Sequence, residues 1–136
     1  MRAPAMRTVF GNHLTSIQRI VQGVVDEPGS AFPEAAVRAY GQLGAIEGIG
    51  SGIATRLLAL ARPDRFVSLN GASKEGLARS FGVAPGTLSE PRSYGRLLNR
   101  LYSEAWYRDA RPIDAREESI RWMCAALLDC FVYEQP

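Results

Sequence analysis

The chain has 136 residues, 46% of them apolar, and a formal net charge of +2. That length fits one domain able to bury a core, with residues 1–136 read as a single helical domain. The apolar runs are far shorter than the roughly 20 residues of a membrane span, and Met1 to Met6 carries no apolar h-region of a secretory signal, so a cytoplasmic protein with no membrane partner is expected. The charge is unevenly spread. Arg56 to Arg100 holds eight basic and three acidic residues, whereas Glu104 onward holds four basic and seven acidic ones. Such a distribution says more about partners than the net value does. Fifteen of the sixteen basic residues are Arg, which suits bidentate phosphate binding and also follows from a GC-rich genome.

Apolar residues Phe10, Leu14, Ile17, Val21 and Val24 recur at three- and four-residue steps and predict a helix over about Thr8 to Val25. Asp26 to Ser30 stops it. Pro33 fits the first turn of a second helix with Val37, Tyr40 and Leu43 on its apolar side, before Gly44, Gly48, Gly50 and Gly52 interrupt. A third helix runs from Ile53 to Ala61, ended by Arg62-Pro63. Phe66 to Leu69 reads as a short extended piece and Asn70-Gly71 as a turn. Ser73 suits the N-cap of a short helix that Gly82 closes. Val83 to Pro91 is a loop, and Arg92 to Trp106 regains helical spacing through Tyr94, Leu97, Leu98, Leu101 and Ala105. Asp114 caps a last helix about five turns long, with Ile120, Met123, Cys124, Leu127, Leu128 and Phe131 as its apolar face. The expectation is an all-α, compact bundle of about six helices.

Ile46-Glu47-Gly48-Ile49-Gly50-Ser51-Gly52-Ile53-Ala54 has the form apolar, x, Gly, apolar, Gly, x, x, x, Ala, the pattern of a helix-hairpin-helix motif, placed at residues 43–62. Gly48 and Gly50 allow a tight turn and a close approach, while Ile49 between them can pin the turn in the core. The turn and the first residues of the next helix then present unpaired N–H groups at the positive end of a helix dipole, a ready site for a phosphate. Gly48, Ile49, Gly50, Ser51, Gly52 and Arg56 are therefore the candidate phosphate-binding residues. Arg62, Arg65 and a stripe of Arg92, Arg96 and Arg100 at four-residue steps are the candidate supporting cations. The simpler alternatives are glycines that only build a turn, and a solvated helix face on which Arg100 pairs with Glu104.

Beyond the hairpin come Phe66 to Asn70 and a helix with Leu77, Arg79 and Phe81-Gly82. Over residues 43–83 this order resembles the helix-hairpin-helix superfamily of base-excision DNA glycosylases. In that family the hairpin leads into an apolar segment, a catalytic Asp and an Arg-bearing helix. Here Asn70 stands where the resemblance places the Asp, and Gly52 where bifunctional members carry a nucleophilic Lys. A neutral amide is no general base, and a glycine forms no Schiff base. Two cysteines also cannot build a four-cysteine iron-sulfur loop. The resemblance implies a degenerate, non-catalytic member, with Asn70 either a turn residue or the lip of a pocket.

Tyr102, Trp106, Tyr107 and Trp122 could stack on bases or pack between the last helices. Cys124 and Cys130 read as separate buried thiols in a reducing compartment. His13, alone, forms neither a zinc site nor a dyad, so no metal and no cofactor is expected. The reading is a sequence-tolerant module contacting duplex DNA through its backbone, within a bacterial DNA repair or genome-defence assembly. Its acidic, aromatic C-terminal helix would face a protein partner. The alternatives are a glycosylase-like enzyme acting on modified or damaged bases, and a protein-interaction or oligomerisation domain.

Overall fold

Residues 6–108 and 112–132 are described by the structure, a computed structural model. They form eight α-helices and two single-turn 3-10 segments, with no strand among the described residues. Apart from Met6, the amino-terminal stretch Met1 to Met6 lies outside them. No helix of the described residues is long and apolar enough to cross a membrane.

Helix α1 (Met6–Val25) buries Ile17 and Val24 and leaves Leu14, expected on its apolar face, 48% exposed. The Pro33 carbonyl accepts the Val37 N–H at 3.1 Å, so Pro33 caps α2 (Glu34–Gly44) from outside its first turn. α2 buries Ala35, Ala36, Ala39, Tyr40 and Leu43. α3 (Ser51–Ala61) starts two residues before the predicted Ile53, which puts Gly52 inside a helix.

The largest departure from the sequence reading lies at α4 (Ser73–Phe81). The Asn70 Oδ1 accepts the N–H groups of Ala72 (2.9 Å) and Ser73 (2.8 Å), and the Asn70 carbonyl accepts the Lys74 N–H at 3.0 Å. Ser73 Oγ in return accepts the Asn70 N–H at 3.2 Å. This is a reciprocal capping box in which Asn70, not Ser73, is the cap. At the other end Gly82 takes a left-handed conformation (φ 61°), and the Val83 N–H reaches the Ala78 carbonyl at 3.0 Å, a glycine C-terminal closure that a side chain would strain.

Two predicted long helices are broken. Arg92 to Trp106 becomes α5 (Pro91–Ser103) and α6 (Ala105–Arg108), separated by an extended Glu104 (ψ 134°). The break turns Tyr107 so that its hydroxyl donates to the Asp64 carbonyl at 2.7 Å. The last helix divides at Met123 into α7 (Ala115–Trp122) and α8 (Cys124–Phe131), because the Ala126 N–H leaves the helical ladder for the Pro63 carbonyl at 3.0 Å. Asp114 does cap α7, its Oδ1 accepting from Arg116 and Glu117 N–H at 2.9 Å each. Both cysteines are free, but Cys124 is only half-buried and Cys130 is exposed, so neither is the buried thiol the sequence suggests. Ile120, Met123 and Phe131, expected on an inward apolar face, are exposed at 52%, 39% and 85%.

At the centre lies the non-helical segment Phe66–Leu69, with Phe66, Val67 and Leu69 buried. Its polar backbone groups, cut off from water, need partners. The Tyr94 hydroxyl accepts the Val67 N–H (3.2 Å) and donates to the Val67 carbonyl (2.7 Å), and Thr55 Oγ1 accepts the Leu69 N–H (2.8 Å). Tyr102 donates to the Arg65 carbonyl at 2.5 Å. Helices α2 and α5 close over this segment where Gly95 has no side chain, since a Cβ there would collide with Val37 Cγ2.

Candidate functional site

The turn Ala45–Gly50 between α2 and α3 is built from its sequence upward. The Ile46 N–H reaches the Leu43 carbonyl (3.1 Å) and the Ile49 N–H the Ile46 carbonyl (3.0 Å), which tightens the chain after α2. Gly48 has φ 88°, a conformation that L side chains rarely adopt. Ile49 is buried to 4% exposure and holds the turn against the core, while Glu47, Gly48 and Gly50 are exposed. Gly50 is the N-cap of α3 and has no side chain to satisfy the helix start. The Ala54 N–H to Gly50 carbonyl bond (3.0 Å) is the first of the helix, so the N–H groups ahead of it have no intrahelical acceptor. A Cβ on Gly50 would meet nothing within 4 Å.

Ser51 and Gly52 have inward duties besides. The Ser51 carbonyl accepts the Thr55 hydroxyl at 2.8 Å, and Ser51 faces the Tyr40 phenol, which donates to the Leu88 carbonyl at 3.1 Å. Burial raises the Tyr40 pKa, and the Ser51 side chain offsets part of that rise. A Cβ on Gly52 would sit 3.3 Å from the Leu69 carbonyl, so glycine here lets α3 lie close against the central segment. Gly52 and Arg56 share one face of α3, a helical turn apart. Arg56 is exposed, and on the same side Asn70 Nδ2 donates to Asp129 Oδ2 of α8 at 3.3 Å. The structure thus brings together Gly52, Arg56 and Asn70, and adds Asp129, which no local pattern in the sequence announces. Burial raises the Asp129 carboxyl above its ordinary range, while the Asn70 bond and the Arg56 charge pull it partly back.

The other candidate cations divide. Arg62 is a fastening residue whose guanidinium is engaged within the protein. It donates to the Val24 (3.2 Å) and Glu27 (2.9 Å) carbonyls at the end of α1, and its Nε and Nη2 grip Asp64 at 2.9 and 3.0 Å. The Asp64 bond raises the Arg62 pKa. Arg65 bonds Asp64 at 3.3 Å and lies over the rings of Phe32 and Tyr102. Arg100 does not continue a free stripe or pair with Glu104. Its Nη1 bonds the Phe81 carbonyl and the Gly82 carbonyl (2.8 Å), satisfying the end of α4. Arg92 and Arg96 are exposed on α5, with Arg96 donating to Ser93 Oγ at 2.9 Å.

Of the aromatic group, Tyr107 is buried and Tyr102 half-buried, while Trp106 and Trp122 are 46% and 54% exposed. A cleft of about 890 Å³ opens beside Tyr102, Tyr107, Arg121 and Trp122. The described residues contain no group of three or more His, Cys, Asp or Glu placed to hold a metal ion. Comparison of the chain with protein-family models, with curated proteins and with solved structures finds no match.

Proposed function

We propose that α2, its turn and α3 form a helix-hairpin-helix element that holds a backbone phosphate of duplex DNA, in a module that is non-catalytic. One observation carries this reading: the first turn of α3 starts at an uncapped, exposed glycine. Arg56 stands exposed a turn further along, and buried Ile49 holds the turn rigid. Open N–H groups and a helix dipole attract an anion, and contacts of this kind read the sugar-phosphate chain rather than bases. Arg92 and Arg96 remain as additional cations, whereas Arg62 and Arg100 are withdrawn into protein bonds. Asn70 is neutral, and its Oδ1 is committed to capping α4, which argues against an acid-base role. A setting in DNA repair or genome defence follows from the resemblance alone.

Titration of a labelled duplex at two salt concentrations tests the reading. Affinity should fall steeply with salt; no binding at low salt, or an affinity indifferent to salt, overturns it. Gly50→Glu should weaken binding at least about tenfold by setting a carboxylate against the phosphate. Circular dichroism should be unchanged, since a side chain at Gly50 meets open space.

A second reading concerns the C-terminal part as a protein-facing surface. Six large apolar residues there, Trp106, Ile113, Ile120, Trp122, Met123 and Phe131, are 39 to 87% exposed, an unusual concentration for a solvated face. Sedimentation across protein concentration separates self-association from binding to a different protein.

A further inference from the structure

Helix α8 brings a carboxylate to the face on which the phosphate is proposed to bind. Asn70 Oδ1 is held as an acceptor by the Ala72 and Ser73 N–H groups, which leaves its Nδ2 as the donor aimed at Asp129. Arg56 of α3 favours the charged form of the same carboxyl. Asp129 is the only charged residue of α8. Ala125 is the only fully buried residue of α8 and α7 has none, while Cys124, Ala126, Leu128 and Val132 pack half-buried against the core. The Ala126 bond to Pro63 and the Asn70 bond to Asp129 fasten the helix. Its end rests on α4 at Gly76, where a Cβ would run into the Val132 carbonyl. Segments with little buried apolar surface open at low free-energy cost.

We infer that the α7–α8 arm is an intramolecular gate on the hairpin face, in which Asp129, bonded to Asn70 where α8 packs on α3, is an internal competitor for a DNA phosphate. The inference rests on the phosphate-binding reading above. DNA binds by displacing the carboxylate, and part of the attraction of Arg56 is cancelled until it does.

Two substitutions open the hairpin face by different means, one by removing the competing charge and the other by loosening the seat of α8. Asp129→Asn removes the charge and keeps the shape, and Gly76→Ala lifts the end of α8 while leaving every charge in place. Both should bind a labelled duplex roughly five- to tenfold more tightly than wild type at low salt, the scale of one relieved charge interaction. Their plots of log affinity against log salt should steepen by about one unit as Arg56 becomes available. In the wild-type protein, hydrogen exchange of the α8 amides should speed up on saturation with duplex. Asp129→Asn binding no more tightly than wild type, or α8 amides that keep or gain protection with DNA, overturns the gate and leaves the phosphate-binding reading standing. If neither wild type nor variants bind at low salt, both fall together. The hydrogen-exchange measurement needs no variant, so it decides even where a substitution disturbs folding.

Discussion

The segment Arg62–Asn70 and the α7–α8 arm differ in how their polar groups are answered. In the first, an irregular backbone is bonded by side chains from four helices: Thr55 of α3, Ser73 of α4, Tyr94 and Tyr102 of α5, and Tyr107 of α6. In the second, regular helices satisfy most of their own backbone, apart from the Ala126 N–H that turns to Pro63, and fully bury only Ala125 between them. The lesson is that helicity and anchorage are separate properties here. The part without secondary structure is the firmly held part, since orphaned groups in a core are costly and side chains have been supplied for them.

The contrast can be broken most severely at Tyr94. Tyr94→Phe keeps the ring and strips both Val67 backbone groups of their partner, so a loss of about 2–6 kcal/mol is expected, at about one to three per unsatisfied group. Thermal unfolding followed by circular dichroism measures it. Thr55→Val should follow at about 1–3 kcal/mol, because the Leu69 N–H loses its acceptor in a site with no solvent. Phe131→Ser, on the arm, should stay within about 0.5 kcal/mol, since that side chain is 85% exposed. A cost as large as that of Thr55→Val would show that the arm is anchored after all.

The smallest effect concerns pH. The folded Asp129 carboxyl is raised above its unfolded value by burial, with Asn70 and Arg56 opposing. The native state therefore holds this proton more tightly than the unfolded one. Its contribution to stability is full below the ordinary carboxylate pKa and is lost as pH rises through the folded value. Denaturant midpoints measured across that window for wild type and Asp129→Asn should converge on the acid side and separate above it, wild type being the lower. A parallel pair of curves would contradict the assignment.

Much of the helical framework was legible because amphipathic spacing is a local property. Ile17 and Val24, then Tyr40 and Leu43, then Leu97, Leu98 and Leu101 all turn inward as their intervals require. The turn at Gly48 to Gly50 was equally legible, since a positive φ and an open helix start call for glycine. What escaped depends on partners far along the chain. The spacing of Arg100 suits a stripe with Arg92 and Arg96, and Arg62 reads as a supporting cation, yet the guanidiniums of Arg62 and Arg100 answer carbonyls 35 and 18 residues away. Asp129 meets Asn70 across 59 residues, which no periodicity encodes. The cap at Asn70 was readable in principle, because Asn-Gly-Ala-Ser places two capping residues three apart, but Asn-Gly is also a turn pair and that pattern competed with the box. The fracture at Met123 follows from one backbone bond to Pro63 and is invisible to an apolar stripe that runs through it.

The tyrosine hydroxyls on the connection after α3 also act as a gauge of its length. Tyr107, Tyr102 and Tyr94 engage the carbonyls of Asp64, Arg65 and Val67, so each donor is matched to one residue of the connection. Adding or deleting a single residue there would put three donors out of step at once, whereas the exposed bend at Ala84 to Gly86 has no such gauge. Insertions for tagging or circular permutation therefore belong at Ala84 to Gly86, and the connection between Arg62 and Leu69 has a fixed length.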